Sequence, residues 1–166
     1  MTAVLVLLAL SAALGAGEIA LAPAPRLPLD AVHRRGGWAG PAAITGMGLL
    51  ALQVAAILFR GQPHLALGSA TMISGAALRL WAIRTLGPSF RTEHEVHRGQ
   101  RLVRSGPYAF SRHPSELGLL AFALGAAAVT GSWPAAALWA LVLLPSSLVR
   151  IRREEALLRA AFNANG

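Results

Sequence analysis

Groups that can titrate, stack or hold an anion crowd into two places in an otherwise apolar chain. The first is the stretch from Gly87 to Glu116, with His94, His97, Tyr108, Arg112, His113 and Glu116; the second is Arg150 to Glu155, with Arg150, Glu154 and Glu155. A carboxylate accepts hydrogen bonds from hydroxyl or ammonium groups, a phenol ring offers a π face to a cation, and an imidazole moves a proton near neutral pH. An arginine fork suits a carboxylate or phosphate. A plain connector between helices needs none of these, and Gly106-Pro107-Tyr108 and His113-Pro114 impose defined turns rather than free coil. The stretch is built to hold a shape.

Plainer roles account for part of this polarity. His94-Glu95-Val96-His97 has its histidines three apart, without the H-E-x-x-H spacing or an evident third ligand, so it reads as solvated and no metal site is expected. Arg91, Arg98 and Arg104 read as topology determinants facing anionic lipid, worth about 1 kcal/mol each near the surface. Arg150 and Glu154 stand four apart. As a bare surface ion pair they would contribute about 0.3–0.5 kcal/mol; otherwise they put a cation and a carboxylate beside the polar stretch where a helix leaves the membrane. The absence of cysteine removes disulfides, thiolate metal sites and a cysteine nucleophile together.

The elements that must position these groups are apolar helices. Of 166 residues, 55% are hydrophobic and 13% charged, against soluble norms of about 45–50% and 25%. Five apolar segments run roughly Thr2 to Ala22, Trp38 to Phe59, Leu65 to Leu86, Leu117 to Trp133 and Pro134 to Val149. Small residues such as Gly46-Met47-Gly48 and Gly68-Ser69-Ala70 suit close helix packing in lipid. The first segment has a second reading as a cleaved signal peptide, since Ala20-Leu21-Ala22 suits a cleavage site; against this, it lacks a basic leading region and carries Glu18.

The net charge of +8 comes entirely from arginine, and the arginines sit between the apolar segments. That pattern points to positive-inside topology rather than to a nucleic-acid patch, so no nucleic-acid partner is expected. Arg26, Arg34 and Arg35, then Arg91 to Arg112, then Arg150 to Arg159 share one side; Arg60 alone opposes them. The expectation is an all-α integral membrane bundle of about five spans, N-terminus out, with the polar loop and C-terminus cytoplasmic. Within a single domain over 1–166, three spans fill 1–86, the loop 87–116, a helical hairpin 117–149 and a short tail helix 150–166. Trp133 and Trp139 are expected near or below the interface.

Gln100-Arg101-Leu102-Val103-Arg104-Ser105-Gly106-Pro107-Tyr108, then Arg112-His113-Pro114, then an apolar hairpin, then Arg150 followed by Glu154-Glu155 and Phe162, resemble the isoprenylcysteine carboxyl methyltransferase family, which is related to the membrane phospholipid methyltransferases. The likeness covers roughly the second half of the chain, with Arg79-Leu80-Trp81-Ala82 and Leu86-Gly87 fitting the family's preceding helix.

The resemblance implies a membrane enzyme that uses S-adenosylmethionine without a Rossmann domain, and no G-x-G-x-x-G follows a strand here. Carried over by position, the cofactor pocket takes Gln100, Arg101, Leu102, Val103, Tyr108, His113, Pro114, Ser115, Glu116 and Glu154. Arg150 faces the acceptor and is, with His113, a catalytic candidate. Because a methyl sulfonium is already activated, catalysis needs chiefly in-line approach and exclusion of water. A carboxylate acceptor needs no base; a phenol or enol would require one, and His113 is the candidate.

Two positions depart from the family pattern: Gln100 stands where His is usual and Glu116 where an aromatic is usual. Glutamine keeps one hydrogen bond but cannot titrate, and Glu116 adds a negative charge where the hairpin begins. The family's longer tyrosine-bearing tail has no counterpart after Phe162. The expected function is methyl transfer to a lipophilic acceptor arriving from the bilayer, with membrane lipids as surroundings. The acceptor is open between prenylcysteine carboxylate and another lipid, polyketide or terpenoid. The rivals are a nicotinamide-dependent membrane reductase and a non-catalytic protein of the same fold.

Overall fold

The computed structural model describes residues 1–21, 40–87 and 104–163, with side chains left aside at 40–43, 154 and 157–163. Its described residues are helical, with α1 at Thr2–Leu21, α2 at Gly40–Leu58, α3 at Leu65–Leu86 and α4 at Pro114–Thr130. After a turn come α5 at Trp133–Leu138, a π-helical turn at Trp139–Leu143 and α6 at Leu144–Asn163. The protein is an all-α membrane bundle. Three of its helical stretches, Thr2–Leu21, Leu65–Leu86 and Trp133–Arg153, are long and apolar enough to cross a bilayer, and Ile44–Leu58 and Pro114–Thr130 are shorter apolar helices. All five expected apolar segments are therefore helices.

The closest helix pair is α3 with α4, and glycine is the reason. Gly68 and Gly75 on α3 and Gly118 and Gly125 on α4 repeat at seven-residue spacing, which returns them to one helix face. A Cβ on Gly75 would stand 2.5 Å from the Phe122 nitrogen, and one on Gly118 would stand 2.7 Å from the Gly75 carbonyl oxygen. A Cβ on Gly125 would stand 2.6 Å from the Met72 nitrogen. No side chain fits between these backbones, so dispersion between two bare helix surfaces replaces the hydrophobic force that lipid cannot supply. Of the small-residue clusters expected to pack, Gly68 does so and Gly48 lies close against Leu143 and Val142, whereas Gly46 has no neighbour within 4 Å of such a Cβ.

Polar side chains add interhelical ties. Gln53 of α2 donates to the Ser11 hydroxyl of α1 at 3.2 Å, and the Trp139 indole N–H donates to the Leu120 carbonyl at 2.8 Å. Large apolar side chains such as Leu5, Met47, Leu50, Leu58, Leu67 and Leu141 stay exposed, as a lipid-facing surface requires.

One end of the bundle is closed by two turns. The Gly61 and His64 amides donate to the Thr130 and Ala128 carbonyls at 3.0 Å each, using acceptors that the end of α4 would otherwise leave bare. Gly131 caps α4 in the left-handed region at φ 63°, and a Cβ there would collide with the Gln62 backbone. Ser132 then caps α5, accepting from the Ala135 amide at 3.4 Å and donating to Ala55 O at 3.2 Å. The turn before α3 and the turn after α4 thus touch.

The opposite end differs from expectation at one boundary. Helix α4 starts at Pro114 rather than Leu117, because proline is well suited to the first helical position, where no N–H is needed. The second hairpin arm runs past Val149 without a break into the expected tail helix. Within that arm the Leu144 amide reaches back to Trp139 O, a π-type bond just ahead of Pro145. Proline has no N–H to give and its ring crowds the preceding turn, so widening the turn by one residue relieves both. The wide turn also shifts the phase of everything after it, setting which α6 residues face inward.

Candidate active site

Three short segments meet at this second end. A 3-10 turn, Gly106–Ala109, lies against the end of α3: Gly106 has φ 58°, and a Cβ on it would stand 3.0 Å from Thr85 Oγ1 and 3.3 Å from Trp81 Nε1. Pro107 is buried in the seat, Tyr108 is half-buried beside it, and Phe110 is almost wholly exposed. The Ser111 amide donates to Pro107 O at 3.2 Å and Ser111 Oγ accepts from the His113 amide at 3.2 Å. The chain thereby turns directly into α4, whose first turn carries Pro114, Ser115 and Glu116, all buried.

Helix α6 brings the second polar group of the sequence to this turn. Arg150 Nη1 lies 2.9 Å from Glu116 Oε1, with the two side chains 15% and 7% exposed. His113 Nε2 lies 3.6 Å from Glu155 Oε1, and the exposed Arg112 reaches the same carboxylate at 3.8 Å. Three contacts thus join the R-H-P-S-E segment to the R-x-x-x-E-E segment. Inward along α6, one turn before Arg150, Ser147 is fully buried and its hydroxyl has no hydrogen-bond partner among the described residues. The second oxygen of Glu116 is likewise buried and unpartnered.

Beside this group stands a second buried arginine. The Arg79 Nε of α3 donates to Glu18 Oε1 of α1, its Nη2 donates to Glu18 Oε2 at 3.4 Å, and its Nη1 donates to Ser115 Oγ at 3.1 Å and Ser115 O at 3.3 Å. Arg79 is 10% exposed at its side chain. Helix α1 is thereby tied to α3 and to the first turn of α4, where the site begins.

The expected site residues fall into three groups. Tyr108, His113, Pro114, Glu116 and Arg150 are gathered at one end of the bundle. Ser115 is there too, but its hydroxyl is engaged by Arg79. Gln100, Arg101, Leu102 and Val103 lie outside the described residues, as do His94 and His97. The backbone of α6 carries position 154 one turn beyond Arg150; the Glu154 side chain is also outside the description.

Sequence reasoning did not assign Glu155, Ser147, Arg79 or Glu18 to the site's surroundings. Glu155 was visible only as part of the E-E pair, and choosing between the two carboxylates requires the helix phase. Glu18 and Arg79 carried a signal: isolated charges inside apolar helices are expensive and are found paired.

A family model described as the Isoprenylcysteine carboxyl methyltransferase (ICMT) family matches residues 66–160, more than half of the chain. The matched span begins in α3 and ends in α6, so it contains the 3-10 turn, the hairpin and every contact between α4 and α6 just described. No curated protein and no solved structure matches the chain at a significant level.

Proposed function

From the premise that the chain belongs to the isoprenylcysteine carboxyl methyltransferase family and is a membrane methyltransferase, we propose that it moves a methyl group from S-adenosylmethionine to a lipophilic acceptor that enters from the bilayer. The observation that carries this reading is the convergence of Tyr108, His113, Glu116, Arg150 and Glu155 at one end of an apolar bundle. A polar cofactor and a greasy acceptor need such a boundary. The cofactor approaches from the arginine-rich, cytoplasmic side, with the N-terminus on the other side of the membrane.

The residues present fit the cofactor's chemistry. S-adenosylmethionine combines an adenosine, a sulfonium and an amino-acid end. Tyr108 gives an aromatic face for adenine or the sulfonium, and Glu154, with Gln100 to Val103, supplies acceptors and donors for ribose and the amino-acid end. Pro114 fixes the start of α4 and therefore where His113 and Glu116 stand. The bound cofactor supplies an activated methyl group; this chain supplies alignment and a site closed to bulk water. The buried first turn of α4 and the inward face of α6 at Ser147 and Arg150 form the side of that site turned away from water.

The test is calorimetric titration of the detergent-purified chain with S-adenosylhomocysteine. Micromolar binding is expected, weakened by about 1.5–3 kcal/mol in Glu154→Ala through loss of a charge-assisted hydrogen bond, and weakened also in Tyr108→Ala. Absence of binding by the folded wild-type chain would overturn the reading.

A further inference from the structure

The Arg150–Glu116 pair bears on what the acceptor is. In the bundle the guanidinium group expected to hold a substrate carboxylate already lies against a carboxylate of its own chain, at 2.9 Å and with both side chains largely buried. A substrate carboxylate arriving there would bring a second negative charge next to Glu116 in a low-dielectric setting, and like charges so placed disfavour each other strongly. The other oxygen of Glu116 has no hydrogen-bond partner among the described residues, although its side chain is more than nine-tenths buried. A bare buried carboxylate oxygen is a costly arrangement that calls for a donor. The bare Ser147 hydroxyl, one turn before Arg150, marks the same inner face as polar and short of partners.

We propose that the acceptor is a neutral lipophilic molecule carrying an acidic hydroxyl, of the phenol or enol class, and that Glu116 Oε2 accepts first its hydrogen bond and then its proton. This rests on the reading of the chain as an S-adenosylmethionine-dependent methyltransferase. As the acceptor oxygen attacks, the O–CH3 bond forms and the S–CH3 bond breaks. The electron pair of the broken bond stays on sulfur, which changes from sulfonium to neutral thioether. The hydroxyl proton passes to Glu116 Oε2. A positive sulfonium and a negative carboxylate thus both become neutral in one event, which a site of low dielectric favours. Arg150 is a positioning residue here: it holds Oε1 and thereby aims Oε2.

The experiment uses the full purified chain, radiolabelled S-adenosylmethionine and two acceptors, a long-chain alkylphenol and N-acetyl-S-farnesylcysteine. Wild type is expected to methylate the alkylphenol in preference to the farnesylcysteine. In Glu116→Gln, kcat for the alkylphenol is expected to fall by about 100-fold or more, while farnesylcysteine methylation rises because the negative charge beside Arg150 is gone. A wild-type preference for farnesylcysteine overturns the proposal, as does an unchanged alkylphenol kcat in Glu116→Gln, or methylation of neither acceptor by a chain that binds S-adenosylhomocysteine. The wild-type preference decides the matter even if the variant fails to fold. Failure to bind S-adenosylhomocysteine would instead sink the underlying methyl-transfer reading.

Discussion

Two arginine–carboxylate pairs sit in the same apolar bundle, and they are built differently. Arg79 uses its Nε and both terminal nitrogens: two on the oxygens of Glu18 and one on Ser115, so that three helices are joined and both carboxylate oxygens accept. Arg150 holds one oxygen of Glu116 and leaves the other bare. Completed hydrogen bonding is what a structural ion pair needs, because desolvation is offset only when the remaining lone pairs are used. An incomplete pair at the mouth of a polar site is an arrangement that a ligand completes. The comparison sets an architectural arginine, which joins three helices, apart from one whose partner carboxylate is incompletely bonded, though the two lie on either side of the same turn of α4.

The largest effect is expected where the complete pair is broken. Arg79→Leu leaves Glu18 without its partner and should cost about 3–5 kcal/mol, toward the lower end because Glu18 is one-third exposed and can be rehydrated. The double variant Glu18→Leu with Arg79→Leu should recover most of that loss, since two apolar side chains need no partner. Thermal unfolding in micelles, followed by tryptophan fluorescence, reads both. A double variant no more stable than Arg79→Leu alone would show that the pair is not what Arg79 contributes.

An intermediate effect is expected at the glycine seam that brings Arg79 to Ser115. A Cβ on Gly118 would stand 2.8 Å from the Arg79 nitrogen and 2.9 Å from its own Cβ. Gly118→Ala must therefore push α3 from α4 and should cost about 1–3 kcal/mol. The same unfolding assay measures it; an unperturbed melting temperature would mean the seam gives way easily.

The smallest stability change is expected at the incomplete pair. Glu116→Gln keeps an oxygen for Arg150 and loses nothing at the bare one, so it should change stability by about 1 kcal/mol or less, while the alkylphenol turnover falls. A large loss of stability would move Glu116 into the architectural class with Glu18.

Much of this could be read from the chain alone. Apolar runs between arginines showed membrane helices, and Gly106-Pro107-Tyr108 with Arg112-His113-Pro114 marked the polar end. Helix boundaries were less legible. Leu117 looked like the start of α4 because it opens the apolar run, whereas Pro114 starts it through backbone geometry. At Val149 polarity changes but the helix continues into the tail, because a helix does not stop where its side chains become charged.

The sequence by itself determined that this protein lives in a membrane, which segments are helical and which short stretches carry chemistry, because these follow from local composition and spacing. The tertiary structure decided which charges meet. Helix packing set Arg150 against Glu116, thirty-four residues earlier in the chain. Glu18 and Arg79, sixty-one residues apart, were joined in the same way. Such pairings depend on the rotational phase and approach distance of helices, fixed here by the π turn before Pro145 and by four glycines that let α3 and α4 touch.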